Sequence, residues 1–141
     1  MDEKKDLIIK HLGMIQTIVE RMARNSFMLK GWSLTVVAAL LALSASAKNS
    51  TIIFISYLPA IAFWVLDAYF LSQERYFRRL YDRAREPLVN PETEPVECFA
   101  MNAPQYAKPG DDWFSVMRSP TLFIFYGMIA GFITCVVTAV L

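Results

Sequence analysis

The stretch that decides the fold is a pair of hydrophobic runs placed back to back, WSLTVVAALLALSASA (32–47) and TIIFISYLPAIAFWVLDAYFL (51–71), with only residues 48–50 between them. A third run, Thr121–Leu141, contains no charged side chain. A helix needs about 20 apolar residues to cross a hydrocarbon core about 30 Å thick, and it must satisfy its own backbone hydrogen bonds there. The second and third runs have that length, and the first reaches it when residues 25–31 count as interfacial.

These runs predict an all-α integral membrane protein with three transmembrane helices, the first two forming a hairpin with long cytoplasmic helical extensions. We divide the chain into a cytoplasmic amphipathic helix (1–30), a transmembrane hairpin with a basic cytoplasmic helix (31–85), a proline-rich cytoplasmic connection (86–118) and a third transmembrane helix (119–141). The hydrophobic share of 55% is above the soluble range and the charged share of 19% is below it. Because Met1–Arg24 is charged throughout and lacks a small-residue cleavage site, we expect no signal peptide.

The distribution of basic residues predicts the orientation. With three spans, residues 1–30 and 72–119 share one side, and that side holds thirteen of the 14 Lys and Arg residues. These are Lys4, Lys5, Lys10, Arg21, Arg24, Lys30, Arg75, Arg78, Arg79, Arg83, Arg85, Lys108 and Arg118, whereas Lys48 alone lies on the other side. The positive-inside rule therefore puts the N-terminus and the long connection in the cytoplasm and Leu141 outside. The net charge of +1 gives no case for a nucleic-acid partner.

Residues that carry chemistry are few. Cys98 lies in the connection and Cys135 in the third span, so they cannot form a pair, and with the single His11 they offer no metal-ligand spacing. We expect His11 to be a solvated residue on a charged helix. No glycine-rich phosphate loop is present, so we predict a protein that is not an enzyme and that has no catalytic residue, no metal and no cofactor.

The N-terminal segment carries a heptad pattern. Its apolar positions follow steps of four, three, four and three residues, which is typical of helices wound around one another. The positions are Ile8, Leu12, Ile15, Val19 and Met22. One interpretation is a seam between copies of the chain; the other is a single amphipathic helix on the membrane surface or packed on the second cytoplasmic helix. No strong helix breaker occurs before Ala47, so the helix can continue into the first span.

The segment after the second span is basic. An apolar stripe there can pack on the N-terminal helix, and the arginines take the other faces as a stripe for anionic headgroups. These arginines are Arg75, Arg78, Arg79, Arg83 and Arg85. Residues 86–117 are rich in proline and acidic residues, and a connection of this length is usually functional or poorly ordered. Its end, Trp113–Arg118, has the aromatic and basic character of an interface anchor, and Pro120 then starts the third span.

Two features stand out within the spans. An antiparallel hairpin turning near Asn49 places Asp67 opposite Lys30 or Gly31, which predicts an intramembrane Lys30–Asp67 ion pair; the alternative is a proton- or ion-handling carboxylate. Gly127-x-x-x-Gly131 is the close-approach motif for helix pairs in lipid. We expect it to mark the packing face of the third helix.

A family resemblance rests on two blocks, RMARNSFMLKGW (21–32) and FWVLDAYFLSQERYFRRLYDRAR (63–85). Both resemble the matching blocks of a family of small three-span bacterial membrane proteins found in mobile and antiphage-defence islands. The resemblance implies kinship with membrane effectors of abortive-infection systems, whose oligomerising helices permeabilise or depolarise the inner membrane. No catalytic residue is carried over by it, and the connection has no counterpart.

Three functions follow as hypotheses. The first is a homo-oligomeric effector or pore in the bacterial inner membrane, with the lipid bilayer and further copies of the chain as its partners. The second is a membrane anchor or adaptor for a separate cytoplasmic protein. The third is an ion- or proton-coupled transport subunit, which depends on Asp67.

Overall fold

The computed structural model describes residues 2–47 and 50–140, and within these ranges every regular element is helical. The elements are α1 (Asp2–Ala47), α2 (Ser50–Ile55), α3 (Tyr57–Val89), α4 (Trp113–Met117) and α5 (Pro120–Val140), with a 3₁₀ turn at Ala103–Tyr106. Three of the helices are long and apolar enough to cross a membrane. The predicted all-α class with three such helices is confirmed. The predicted turn around Asn49, the lone basic residue Lys48 and the terminal Leu141 lie outside the described residues.

The helix α1 runs without a break for 46 residues, from the charged N-terminal segment through the first hydrophobic run. Gly31 is the one residue of low helix propensity near the junction, and one interior glycine costs only about 1 kcal/mol. No proline interrupts this segment. In the structure, the segment from Asp2 to Ala47 is therefore one helix.

The second hydrophobic run is divided between α2 and α3, an interruption that the sequence analysis did not anticipate. Pro59 has no N–H for the carbonyl of Ile55, and its ring crowds that carbonyl. Ser56, at the break, donates its backbone N–H to the carbonyls of Ile52 and Ile53 at 3.2 and 3.1 Å. The Ser56 hydroxyl also donates to the Ile53 carbonyl at 2.5 Å, so the interruption leaves this buried side chain satisfied.

The helices α1 and α3 pack against each other as an antiparallel pair. Small side chains are buried on both helices, Ser26 and Ser33 on α1 and Ala60 and Ala68 on α3. In lipid there is no hydrophobic driving force between helices, so close approach at small residues is a main source of packing energy.

The two helices continue together beyond their apolar parts, and we call these continuations, residues 2–25 of α1 and 72–89 of α3, the polar ends. A second core joins them, formed by Ile15, Leu80, Ala84 and Ala103. The connection between α3 and α5 supplies Ala103 and, partly buried, Val96, Met101 and Tyr106, so it is packed on the pair. The connection thus covers this small core on a third side, next to α1 and α3.

The heptad seam lies against this core. Ile15 is fully buried in it, and Leu12 and Val19 pack against it within the same chain. Ile8 and Met22 are partly buried. In the single chain, the seam therefore packs on α3 and the connection, which is one of the alternatives that the sequence left open.

The last helix, α5, packs on α3 through one face. Leu122, Tyr126, Ile129 and Ile133 are buried there in the same cluster as Ala60 and Ala68 of α3. Pro120 is the first residue of α5, as the sequence predicted, because its fixed φ suits a first helical turn and its missing N–H is not needed there.

Candidate functional site at the junction of three helices

The most polar point within the apolar part of the molecule is Asp67 on α3. Its side chain is 0% exposed. Burying an unpaired carboxylate is costly, so its surroundings have to provide hydrogen-bond donors and a positive charge. Two further helices provide them.

Helix α1 supplies two of the donors. Lys30 Nζ lies 2.5 Å from Asp67 Oδ2, so the structure brings together the two residues that the sequence placed opposite each other. One turn earlier, the Ser26 hydroxyl donates to Asp67 Oδ1. Lys30 Nζ also donates to Ser26 Oγ at 2.9 Å, which fixes both side chains on the same face of α1.

Helix α5 supplies the third donor. The Tyr126 hydroxyl donates to Asp67 Oδ2 at 3.2 Å. The Trp64 ring stacks on the Tyr126 ring with 6.3 Å between centroids and 19° between planes, which orients the phenol. All three long helices therefore meet at one carboxylate, and we call Ser26, Lys30, Asp67 and Tyr126 the polar knot.

Sequence reasoning found two members of the polar knot and missed the other two. Ser26 could have been recognised because it lies one turn before Lys30 on the face that continues the heptad phase. Tyr126 is the only tyrosine in α5, and a buried phenol in a span needs an acceptor. What the sequence could not provide is the position of α5 relative to the helix pair.

The chemistry available to the polar knot is that of a satisfied ion pair. The carboxylate accepts three hydrogen bonds and is neutralised by one ammonium group. Within residues 2–47 and 50–140, no group of three or more His, Cys, Asp or Glu side chains is arranged to hold a metal ion. The arrangement is therefore that of a clamp, with three helices held at one point.

Helix α4 is fastened beside the polar knot by two indole groups. Trp113 Nε1 of α4 donates to the Val65 carbonyl of α3 at 3.2 Å, and Trp64 Nε1 of α3 donates to the Met117 carbonyl of α4 at 3.1 Å. Phe114 remains well exposed on the other side of α4. Exposed aromatic side chains at one level of a span are typical of the membrane–water interface. Trp32 and Tyr69, also exposed, flank Lys30 and Asp67 along their helices.

The basic stripe of α3 is engaged inside the chain. Its five arginines contact acceptors of the same chain rather than standing free: Arg78 with Glu74 at 2.7 Å, Arg79 with Asp111 at 2.9 Å, Arg83 with Glu86, Arg85 with Asp82 at 4.0 Å, and Arg75 with the Gly110 carbonyl at 3.0 Å. An arginine of this stripe can therefore bind an anionic headgroup only by sharing or giving up its contact within the chain.

The best-formed of these contacts fastens the connection to α3. Asp111 is buried and accepts from Arg79 Nε at 2.9 Å and from the Lys108 backbone N–H at 3.0 Å. The hydrogen bond from the Arg79 guanidinium holds the pKa of Asp111 below its usual 3.8, and the Lys108 N–H contributes in the same direction.

His11 also holds the connection, and the expectation of a solvated surface residue is wrong. Its side chain is 2% exposed, and Nε2 lies 3.2 Å from the Ala100 carbonyl. The ring contacts the ring of Phe99, whose φ of 69° is in the left-handed region that a bulky residue rarely adopts. The connection folds back over α1, so a residue on a charged helix becomes buried.

The remaining predicted residues stand apart from the polar knot. Gly127 and Gly131 lie exposed on α5, and a Cβ built on either glycine meets nothing within 4 Å. In the structure this motif is therefore free of intramolecular packing. Cys98 and Cys135 are both exposed free thiols.

No known protein family, no curated protein and no solved structure matches this chain. The helices and the polar knot are therefore interpreted from their own geometry, which is consistent with a multi-pass membrane protein.

We expect the two single changes at the ion pair to differ in cost. Lys30→Met strands a carboxylate that is fully buried, whereas Asp67→Asn strands an ammonium group that is 20% exposed and can reach towards water. Breaking a buried pair costs about 3–5 kcal/mol, so Lys30→Met should approach that loss and Asp67→Asn should cost less.

The double variant Lys30→Met/Asp67→Asn removes both charges and should recover much of the loss. Unfolding in mixed micelles would measure all three variants, with the exposed Lys10→Met and Asp82→Asn as controls. If the loss of unfolding free energy in the double variant equals the sum of the two single losses, the ion pair does not hold the helices together.

We also expect acid to loosen the connection. The pKa of Asp111 is lower in the folded chain than in the unfolded chain, so its contribution to stability is present above pH 4 or so and is lost as the pH falls through the folded value. The hydrogen-exchange protection factors of residues 90–110, which are corrected for the slower intrinsic exchange in acid, should therefore fall at low pH in the wild type. In Asp111→Asn they should be low already at neutral pH. An Asp111→Asn variant with wild-type protection at neutral pH would show that the Arg79 contact does not hold the connection.

Proposed function

We propose that the chain is a non-enzymatic, multi-pass protein of the bacterial inner membrane, with its polar ends and connection in the cytoplasm and its C-terminus outside. The orientation is supported by the basic residues, thirteen of which lie on the polar side of the three spans. The exposed aromatic side chains of Trp32, Tyr69 and Phe114 support the depth of the helices, because they mark a membrane surface close to the polar knot.

The orientation is tested by thiol labelling in intact cells. Cys98 is exposed on the connection, so an impermeant maleimide should leave it unmodified in whole cells and modify it in inverted vesicles. The Cys135→Ser background removes the second thiol from the measurement. Equal labelling of Cys98 in whole cells and inverted vesicles would reverse or reject the orientation.

We propose further that the protein self-associates through the outer face of α5. The observation that carries this proposal is the position of Gly127 and Gly131, on the side of α5 opposite the buried face of Leu122, Ile129 and Ile133. On a helix of 3.6 residues per turn, Thr138 lies on the same outer side. Small residues let two helix backbones approach closely in lipid, and no described atom of the chain lies within 4 Å of a Cβ built on either glycine.

The outer face of α5 is a better interface than the N-terminal heptad seam. Ile15 of the seam is already fully buried against Leu80 and Ala103. A coiled coil between copies would have to displace those contacts, whereas contact at Gly127 and Gly131 displaces only lipid. The hypothesis of self-association is therefore retained, with its surface moved from the cytoplasm into the membrane.

The effect of the assembly that we propose is to permeabilise or depolarise the inner membrane as an antiphage effector. The proposal extends the expectation of kinship with proteins of defence islands that residues 21–32 and 63–85 raised. Its support is geometric, since three spans cannot enclose a path alone and several copies joined through α5 could.

Gly127→Ile/Gly131→Ile tests both parts of this proposal. The new side chains fit the single chain, because nothing lies within 4 Å of either Cβ position, but they separate two helix backbones. We expect the association constant to fall about tenfold or more. Each tenfold change corresponds to about 1.4 kcal/mol. Loss of membrane potential on expression, followed with a potential-sensitive dye, should weaken in parallel.

Ala62→Ile is the matched control, because Ala62 is a small, exposed residue at membrane depth on α3. It should leave both crosslinked oligomers and depolarisation as in the wild type. Depolarisation that persists when the oligomers are lost would reject a pore built through α5, and unchanged oligomers in the double variant would reject the interface.

An adaptor function has one specific feature in its favour. A groove of about 520 Å³ lies where the start of α1, the end of α3 and the connection meet, with Lys4, Ile8, Leu88 and Val96 among its lining residues. A segment of a cytoplasmic partner would fit there. The transport hypothesis is weaker, because the Asp67 carboxylate already has three donors and lies near one membrane surface rather than at the midplane.

A further inference from the structure

A narrow apolar groove runs between α1 and α5 within the membrane-spanning part of the chain. Its volume is about 220 Å³, and Leu34, Val37 and Leu41 of α1 face Phe125, Met128 and Phe132 of α5 across it. From Leu34 to Leu41 it extends about 10 Å along the helix axis. The helices on its two sides are joined mainly through α3, so the groove is left unfilled by the chain.

The end of the groove nearest the polar knot carries two cationic side chains, Lys30, whose charge is balanced by Asp67, and Arg118. Lys30 lies one turn before Leu34 on the same side of α1, and its side chain is 20% exposed. An ammonium group has three N–H donors, and two of them bind Ser26 and Asp67. The third is directed to no acceptor within the described residues. Arg118 is exposed just before α5 begins, at the same end of the groove.

We propose that this groove binds one acyl chain of an anionic phospholipid, with the phosphate headgroup held by Lys30 and Arg118. The acyl chain matches the wholly apolar walls, and the headgroup matches the free N–H of Lys30 and the charge of Arg118. A basic side chain near anionic headgroups contributes about 1 kcal/mol.

A second copy of the chain is a poorer occupant of the groove. A helix is about 10–12 Å in diameter with its side chains, so even one turn of it occupies more than the groove volume of about 220 Å³. Copies inserted in the same orientation would also bring Arg118 to the same depth as its own counterpart. Like charges would then face each other, whereas an anionic lipid neutralises them.

The bound lipid would act as a bridge between α1 and α5. Its headgroup would contact the same lysine that pairs with Asp67, so its binding would favour the position of α5 in which Tyr126 reaches the polar knot. The inference needs only that the helices span the membrane and does not rest on self-association, so the two proposals can fail independently.

Native mass spectrometry of the delipidated full chain, with lipid added back, tests the inference. The wild type should retain phosphatidylglycerol in preference to phosphatidylcholine. Ala38→Phe places a ring in the groove and should abolish that preference, because Ala38 lines the groove. Ala39→Phe adds the same ring at the next position, which does not line the groove, and should behave as the wild type.

Arg118→Gln tests the headgroup without touching the groove walls or the polar knot, and it should lower phosphatidylglycerol retention about fivefold. Should Ala38→Phe fail to fold, the smaller Ala38→Leu and Arg118→Gln carry the test. Equal retention of the two lipids by the wild type would overturn the proposal. Wild-type retention by the folded groove variant, or by Arg118→Gln, would overturn it as well.

Discussion

The interaction on which the rest of the structure depends is the hydrogen-bonded ion pair at Asp67. A carboxylate with no exposure needs its donors in place before it can remain charged, and these donors come from α1 and α5. A neutral packing contact tolerates a slip of one turn between helices; this one does not, because Ser26, Lys30 and Tyr126 would each lose Asp67. The polar knot therefore sets the register of all three long helices.

The register has consequences in both directions along the helix pair. Towards the first hydrophobic run, it aligns Val37 of α1 with the cluster that contains Ala60 and Ala68 of α3, where small side chains let helices pack closely in lipid. Towards the polar ends, it brings Ile15 opposite Leu80, and the connection closes that core with Ala103. The contacts of Asp111 and His11 then hold the connection in place. One fixed point thus aligns an apolar interface on one side and a solvent-facing core on the other.

The sequence predicted what depends on local pattern or on simple register. Three apolar runs gave the helices, and counting back from Asn49 placed Lys30 opposite Asp67. It did not predict the partners that depend on how distant segments fold together. Tyr126 lies in α5, and Asp111 and Gly110, which accept from Arg79 and Arg75, lie in the connection; no periodicity links these segments to α3. His11 is buried only because residues 99–100 return to it. The break at Ser56 had a local signal, Pro59. The second run was nevertheless predicted as one continuous helix, because only its hydropathy was considered.

The distribution of these contacts also indicates which surfaces of the chain remain open to a partner. In the polar ends, the middle of the seam is packed on α3 and the connection, the arginines of α3 have acceptors inside the chain, and one groove stays open beside Ile8 and Leu88. Two further open surfaces lie at membrane depth, the glycine face of α5 on one side and the groove against α1 on the other. The first has the small residues that close helix packing requires, and the second has apolar walls with Lys30 at one end. Because α5 carries both, and Tyr126 ties α5 to the polar knot, a change of partner on either surface can be transmitted to the single point that holds the three helices together.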